Sequence, residues 1–230
     1  MQLRPYQLQA VSSLRVAFRQ GHHSALLVMP TGAGKTVVFT EIARSATKLG
    51  KSVFILVHRR ELVKQASDKL SKAGVTHGII AAGFKTSKHR VQVASVQTLA
   101  RRLLTVPSVP DLIVIDEAHH ALAGQWDKIL QHFKNARVIG VTATPSRLDG
   151  RGLGSHFSTL VSGPSVAQLT KLGFLSPHRV FAPPVIADLS NVKTRAGDYA
   201  NDQLSAAMDR PTVTGDSVEH YRRLADGLPA

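Results

Sequence analysis

The stretch VMPTGAGKTVV, Val28 to Val38, joins an apolar run, ALLV, to a segment of helical character, VVFTEIARSATKLG. Closely spaced glycines let backbone N–H groups converge on one point, and a helix that follows adds the positive end of its dipole. Strand, glycine-rich turn and helix in that order make a cradle for phosphates. What the phosphate serves, as transferred group, switch or fuel, has to come from other residues.

Pro30, Thr31, Gly32, Ala33, Gly34, Lys35 and Thr36 follow the pattern G-x-x-x-x-G-K-[ST]. In that pattern the lysine reaches the outer phosphates and the hydroxyl of Thr36 ligates Mg²⁺. The first position asks for a small residue, and Met29 stands there. A glycine-rich turn with a solvated lysine is the plainer alternative, and the agreement of strand, loop and helix signals speaks against it.

With 230 residues, 43% of them hydrophobic, the chain can bury one sizeable core and part of another. It has no cysteine, which excludes disulfides and thiolate metal sites and suits a reducing cytoplasm. Apolar runs such as ALLVM and LIVI fall far short of the ~20 residues that cross a bilayer, so a soluble protein is expected. The N-terminal MQLRPYQLQAVSSLRVAFRQ is basic and acid-free like a transit peptide. It lacks a cleavage signature, and Leu8, Val11, Leu14 and Phe18 fit a packed helix.

Twenty-nine Lys and Arg against 15 Asp and Glu give a net charge of +14, which favours a polyanionic partner, nucleic acid first. Basic residues cluster in HRRELVK (58–64), FKTSKHR (84–90) and LARRL (99–103). A generally basic surface is the bland alternative.

SALLVM, SVFILVH, GIIAAG, VQVASV, LIVIDE and RVIGVTAT read as buried parallel strands. Between them Leu62, Ala66 and Leu70 recur at helical spacing, as do Ile129 and Phe133. The expected fold is α/β, a mostly parallel sheet with helices on both faces, running to about residue 160. Beyond it, SVAQLTKLGFLSP reads as a short helix and exit, HRVFAP as a strand and NVKTRAGDYANDQ as a polar loop. TGDSVEHYRRLADG reads as a helix capped by Thr214 or Asp216.

DLIVIDEAHH ends an apolar strand in Asp116-Glu117, about 80 residues after the glycine-rich loop. A carboxylate at the carboxyl end of a neighbouring parallel strand lies where an open α/β sheet gathers ligand chemistry. Asp116 would hold Mg²⁺ opposite Thr36, and Glu117 can polarise a water for in-line attack on a γ-phosphate. A transferase needs a bound acceptor, whereas a carboxylate poised over water implies hydrolysis. An acidic pair opening a helix is the alternative.

The order LRPYQ, MPTGAGKT, LVHRREL, SVQTLARR, DEAHH and GVTATPSRLDG resembles the N-terminal RecA-like motor domain of superfamily 2 DEAD/DEAH-box helicases over about residues 1 to 160. HRREL, DEAHHA, TATPSRLDGRGLG and the later GDY look most like the bacterial and phage RadD group. The resemblance implies a P-loop NTPase that uses ATP with Mg²⁺, with Lys35, Asp116 and Glu117 catalytic. It also accounts for Met29, since such helicases open the loop xPTGxGKT. Gln7 resembles the adenine-reading glutamine, its amide able to donate and accept at once, with Arg4 or Tyr6 packing on the ring. Thr142 and Thr144 in TAT resemble the motif that couples nucleotide state to nucleic acid.

His58, Arg59 and Arg60 match motif Ia, and Gln97 and Thr98 match the segment that meets the nucleic-acid backbone at a helix start. Such contacts bind phosphates without reading bases. DNA is expected ahead of RNA. Trp126 reads as a packing residue, and the adjacent His119 and His120 do not share a helix face as a zinc pair must, so no zinc is expected.

The family's motors have a second RecA-like domain, which supplies arginine fingers in a QxxGRxxR-like motif. No such stretch occurs in these 230 residues, and 161–230 reads as a linker and the start of that domain. The expected state is competent to bind ATP and catalytically incomplete. Alternatives are a module that binds ATP and nucleic acid without turnover in isolation, and the motor of a restriction translocase or RNA helicase.

Overall fold

Runs of Val, Ile, Leu and Ala that are apolar on both faces form strands only where helices can cover both sides. In the computed structural model, which describes residues 2–85, 87–106, 108–120, 124–145, 153–177, 187–195, 198–209 and 211–225, all six expected runs are strands. They are β1 (Ser24–Val28), β2 (Val53–Val57), β3 (His77–Ile80), β4 (Val91–Ser95), β5 (Leu112–Asp116) and β6 (Arg137–Thr142). A seventh, β7 (Thr159–Ser162), joins them beside β1. The sheet is parallel throughout, in the order β3-β4-β2-β5-β6-β1-β7.

Alternate strand residues feed two cores. Leu27, Ile55, Val57, Val114 and Val141 face one way, against α1 (Pro5–Arg19), α2 (Lys35–Lys48) and α3 (Arg60–Lys72). Leu26, Phe54, Leu56, Ile113 and Ile115 face the other, against α4 (Val96–Arg101) and α5 (Gln125–His132), where Trp126 is buried as a packing residue. The fold is therefore the expected α/β sheet with helices on both faces. On α1 the covered stripe is Tyr6, Gln7, Ala10, Val11, Leu14 and Ala17, while Leu8 is 55% exposed, so Leu8 is not the core residue its spacing implied.

The chain divides into two units, Met1–Ser176 and Pro177–Ala230. The first includes β7 and α6 (Val166–Lys171), whose start Ser165 and Gln168 cap reciprocally. In the second, β8 (Thr194–Arg195) pairs antiparallel with β9 (Asp198–Tyr199), so the stretch expected as a polar loop contains a pair of short strands. Two helices follow, α7 (Asn201–Met208) and α8 (Pro211–Ala225). Thr214 and Asp216 lie inside α8, which starts at Pro211, where a proline's fixed φ and missing N–H are tolerated. The strand expected at HRVFAP falls outside the described residues. Among those described, no helix is long and apolar enough to cross a membrane.

Candidate functional site

The glycine-rich loop leaves the carboxyl end of β1, and Gly34 is the cap residue of α2. Gly32 and Gly34 both have φ of +80°, a conformation that L side chains rarely adopt. A Cβ on Gly34 would lie 2.5 Å from the Gln7 amide nitrogen, and one on Gly32 would lie 2.8 Å from Leu175. The loop's shape thus depends on glycine at both places. Met29 is wholly buried, its side chain packed where Gly163 lacks one, and its N–H donates to the Thr142 carbonyl at 3.0 Å. Its size is set by the core, which removes the objection to methionine at that position.

The N-terminal helix holds the loop from outside. The Tyr6 hydroxyl and the Gln7 amide N–H both donate to the Ala33 carbonyl, at 2.9 and 3.0 Å, and Gln7 Oε1 accepts from the Arg4 N–H. Arg4 Nη1 donates to the Tyr6 hydroxyl at 3.2 Å, and its guanidinium stacks over Phe174, 4.8 Å from the ring centroid. Phe174 meets Tyr6 edge-on. The Gln7 side chain keeps one amide hydrogen and one lone pair beyond these bonds. Phe174 and Leu175 carry no motif and only the tertiary structure brings them to the loop.

Asp116 and Glu117 close β5. In the sheet β6 lies between β1 and β5, so β5 is not β1's immediate neighbour as the sequence reading had it. Two inter-strand steps, ~10 Å, separate loop from carboxylates, and phosphates with a metal ion need such room. Gly34, Lys35, Thr36, Asp116 and Glu117 line one cavity of about 320 Å³. Lys35 Nζ lies 3.5 Å from the Met29 carbonyl. Burial first, and then the Glu117 carboxylate, hold Asp116 above the ordinary carboxylate range against the pull of Lys35 and Lys69. Such a carboxylate gains from a cation. Hard oxygen donors from Thr36 and Asp116 beside glycines that open a backbone cradle fit a Mg²⁺-bound nucleoside triphosphate.

Glu117 has φ of +51°, the one positive value on a non-glycine among the described residues. That conformation costs about 1–2 kcal/mol, and sites of chemistry are where such strain gathers. From it Glu117 Oε2 lies 3.4 Å from His119 Nδ1, an ion pair when the imidazole is protonated. His119 Nδ1 is 2.9 Å from the Thr142 hydroxyl, which donates to the Thr144 carbonyl and accepts from the Thr144 N–H. The hydroxyl's one proton being committed, His119 Nδ1 must carry the hydrogen between them. Glu117, His119, Thr142 and Thr144 thus form one chain from β5 to the end of β6. Sequence alone suggests for His119 only a metal ligand, one half of a pair with His120. Its place two residues after Glu117 was the available signal.

The expected nucleic-acid residues also converge. Val57 of β2 stands opposite Ser95 of β4, which sets His58 and Arg59 beside Gln97 and Thr98. Gln97 Nε2 donates to the His58 carbonyl at 3.4 Å. His58, Arg59 and Gln97 are exposed and Thr98 is half-buried; Arg60 opens α3, and only its backbone is described. Among the described residues no group of three or more His, Asp or Glu is placed to hold a metal ion by itself.

Residues 1–147 match the family described as type III restriction enzyme, res subunit. IRC3 of Saccharomyces cerevisiae, whose name provisionally assigns it as an ATP-dependent helicase, is 35% identical over 95% of this chain and 34% of its own length. The DNA 3'-5' translocase XPB2 of Sulfurisphaera tokodaii is 30% identical over 66% of this chain and 33% of its own. The chain therefore spans about a third of the length of these relatives. In fold it is similar to the UvsW helicase of bacteriophage T4, with a TM-score of 0.59 over 70% of this chain and 60% of that one, at 18% identity. The sheet is thus a RecA-like α/β fold, and the chain belongs to the type III restriction enzyme res subunit family.

Proposed function

We propose that this chain is the ATP-binding motor half of a DNA helicase or translocase that hydrolyses ATP together with a second RecA-like domain. The observation that carries the reading is the convergence of loop, carboxylates and the Glu117–His119–Thr142–Thr144 chain at one sheet edge. Lys35 and the loop N–H groups hold the phosphates. Thr36 and Asp116 would hold Mg²⁺, which would neutralise phosphate charge. Glu117 takes the proton of the attacking water at a carboxylate oxygen, and His119 passes its position on to β6.

Arginines from the opposing domain supply charge neutralisation worth ~10³ to 10⁵ in rate, so the 230-residue chain binds ATP and turns it over weakly. DNA is favoured over RNA by the translocase relative, and a net charge of +14 with exposed His58 and Arg59 favours phosphate contacts without base reading. HRREL and DEAHHA support placement in the RadD group.

The test is Glu117→Gln in the chain joined to its second domain. ATP affinity stays within a few-fold, and DNA-stimulated phosphate release falls by ~10² to 10⁴, as for loss of a general base. Wild-type turnover in the variant contradicts the assignment.

A further inference from the structure

Lys69 lies in the third turn of α3, ten positions past Arg59, and no sequence motif marks it. Its side chain crosses to the start of α2, where Nζ donates to Thr36 Oγ1 at 3.2 Å. It lines the same cavity as Lys35, Asp116 and Glu117. The hydroxyl of Thr36 offers two lone pairs, and the ammonium takes one of them in the cavity that Asp116 and Glu117 also line. A divalent cation held by Thr36 and Asp116 would draw on the same hydroxyl and sit in the same negative field, where two cations repel.

We propose that Lys69 is a positioning residue whose ammonium stands in for the divalent cation, occupying the metal's place beside Thr36 and yielding it when Mg²⁺ arrives with nucleotide. The inference rests on the nucleotide reading of the cavity. A lysine suits the part because its charge is compact and its stem flexible, so it can lean in or swing out without moving backbone. Its charge also works against the burial that raises the Asp116 pKa. With no metal available, Lys69 neutralises part of the charge on a bound diphosphate. With metal it is displaced, and its removal then matters little.

The experiment titrates a fluorescent ADP analogue into the 230-residue chain, once with saturating Mg²⁺ and once with EDTA, and reads the Kd in EDTA divided by the Kd in Mg²⁺. Lys69→Met raises the ratio about tenfold, as loss of one charge-assisted contact should, by weakening the EDTA arm alone. Lys69→Arg keeps the ratio within about threefold of wild type, since charge is retained. Lys69→Gln repeats the measurement should the methionine variant fail to fold. An unchanged ratio in the neutral variants overturns the stand-in role, as does equal weakening in both arms, which marks an ordinary phosphate contact. Wild-type chain that binds nucleotide in neither arm overturns the nucleotide site itself, an outcome separate from the other two.

Discussion

At the end of β1, two hydrogen bonds from Tyr6 and Gln7 converge on the Ala33 carbonyl, and Met29 is tied to Thr142. At the ends of β2 and β4, His58, Arg59 and Gln97 stand exposed, with a 3.4 Å bond from Gln97 to the His58 backbone. The two regions share one sheet edge and differ in how firmly their geometry is set. Phosphate chemistry requires donors, metal ligands and a base held at fixed separations, so its residues are woven into core and network. Contact with a regular polyanion requires positive charge and reach, which exposed side chains supply without a buried frame.

If the contrast is right, single changes should hurt the first region more than the second. The largest effect on binding is expected at Lys35. Lys35→Ala removes the ammonium at the loop, and ATP affinity measured by calorimetry should fall ~10 to 100-fold, as when a charge-assisted contact to phosphate is lost. Unchanged affinity in a folded variant would break the comparison on its firmer side.

Arg59→Ala should act more gently. Binding to single-stranded DNA should weaken a few-fold at moderate salt, equally for unrelated sequences, and the slope of log K against log salt should drop by roughly one. A loss confined to one sequence would mean that this face reads bases.

The smallest effect concerns Asp116. Its folded-state pKa is raised above the ordinary 3.8 by burial and by Glu117, so the fold disfavours the ionised form. Below the ordinary value both folded and unfolded chains hold the proton and no penalty exists; as pH rises through the raised value the penalty becomes complete. Asp116→Asn should therefore raise the Tm of the ligand-free chain slightly at neutral pH. The gain should shrink as pH falls through the carboxylate range, and Mg²⁺-ATP should no longer stabilise the variant. A lower Tm at neutral pH would contradict the sign.

The same contrast governs what was legible in the sequence. Six strands were plain because runs such as VFILV and LIVID are apolar on both faces, and the loop and Asp116-Glu117 were plain because their chemistry fixes residue types at fixed spacing. β7 was not, since only Val161 of its four residues is buried and an edge strand needs no continuous apolar run. The insertion of β6 between β1 and β5 depends on long-range pairing, which local pattern does not encode. Phe174, Leu175 and Lys69 reach the site through tertiary contacts alone, whereas His119 follows Glu117 by two residues and only its bond to Thr142 depends on the pairing of β5 with β6. α8 starts at Pro211, three residues before the nearer of the two cap residues that the sequence offers, Thr214 and Asp216, because proline fits a first helical position as well as a hydroxyl or carboxylate fits a cap.

The central claim is that the edge bearing Lys35 and Glu117 is complete for holding ATP and incomplete for cleaving it. It is tested most directly by measuring ATP affinity and steady-state phosphate release on the same preparation of the 230-residue chain, with saturating single-stranded DNA and contaminating ATPases removed. The account predicts saturable Mg²⁺-ATP binding with little DNA-stimulated release, and release restored when a second RecA-like domain with intact arginines is joined. Robust release by the chain alone, abolished by Glu117→Gln, would contradict it and show that this half of the motor completes its own site.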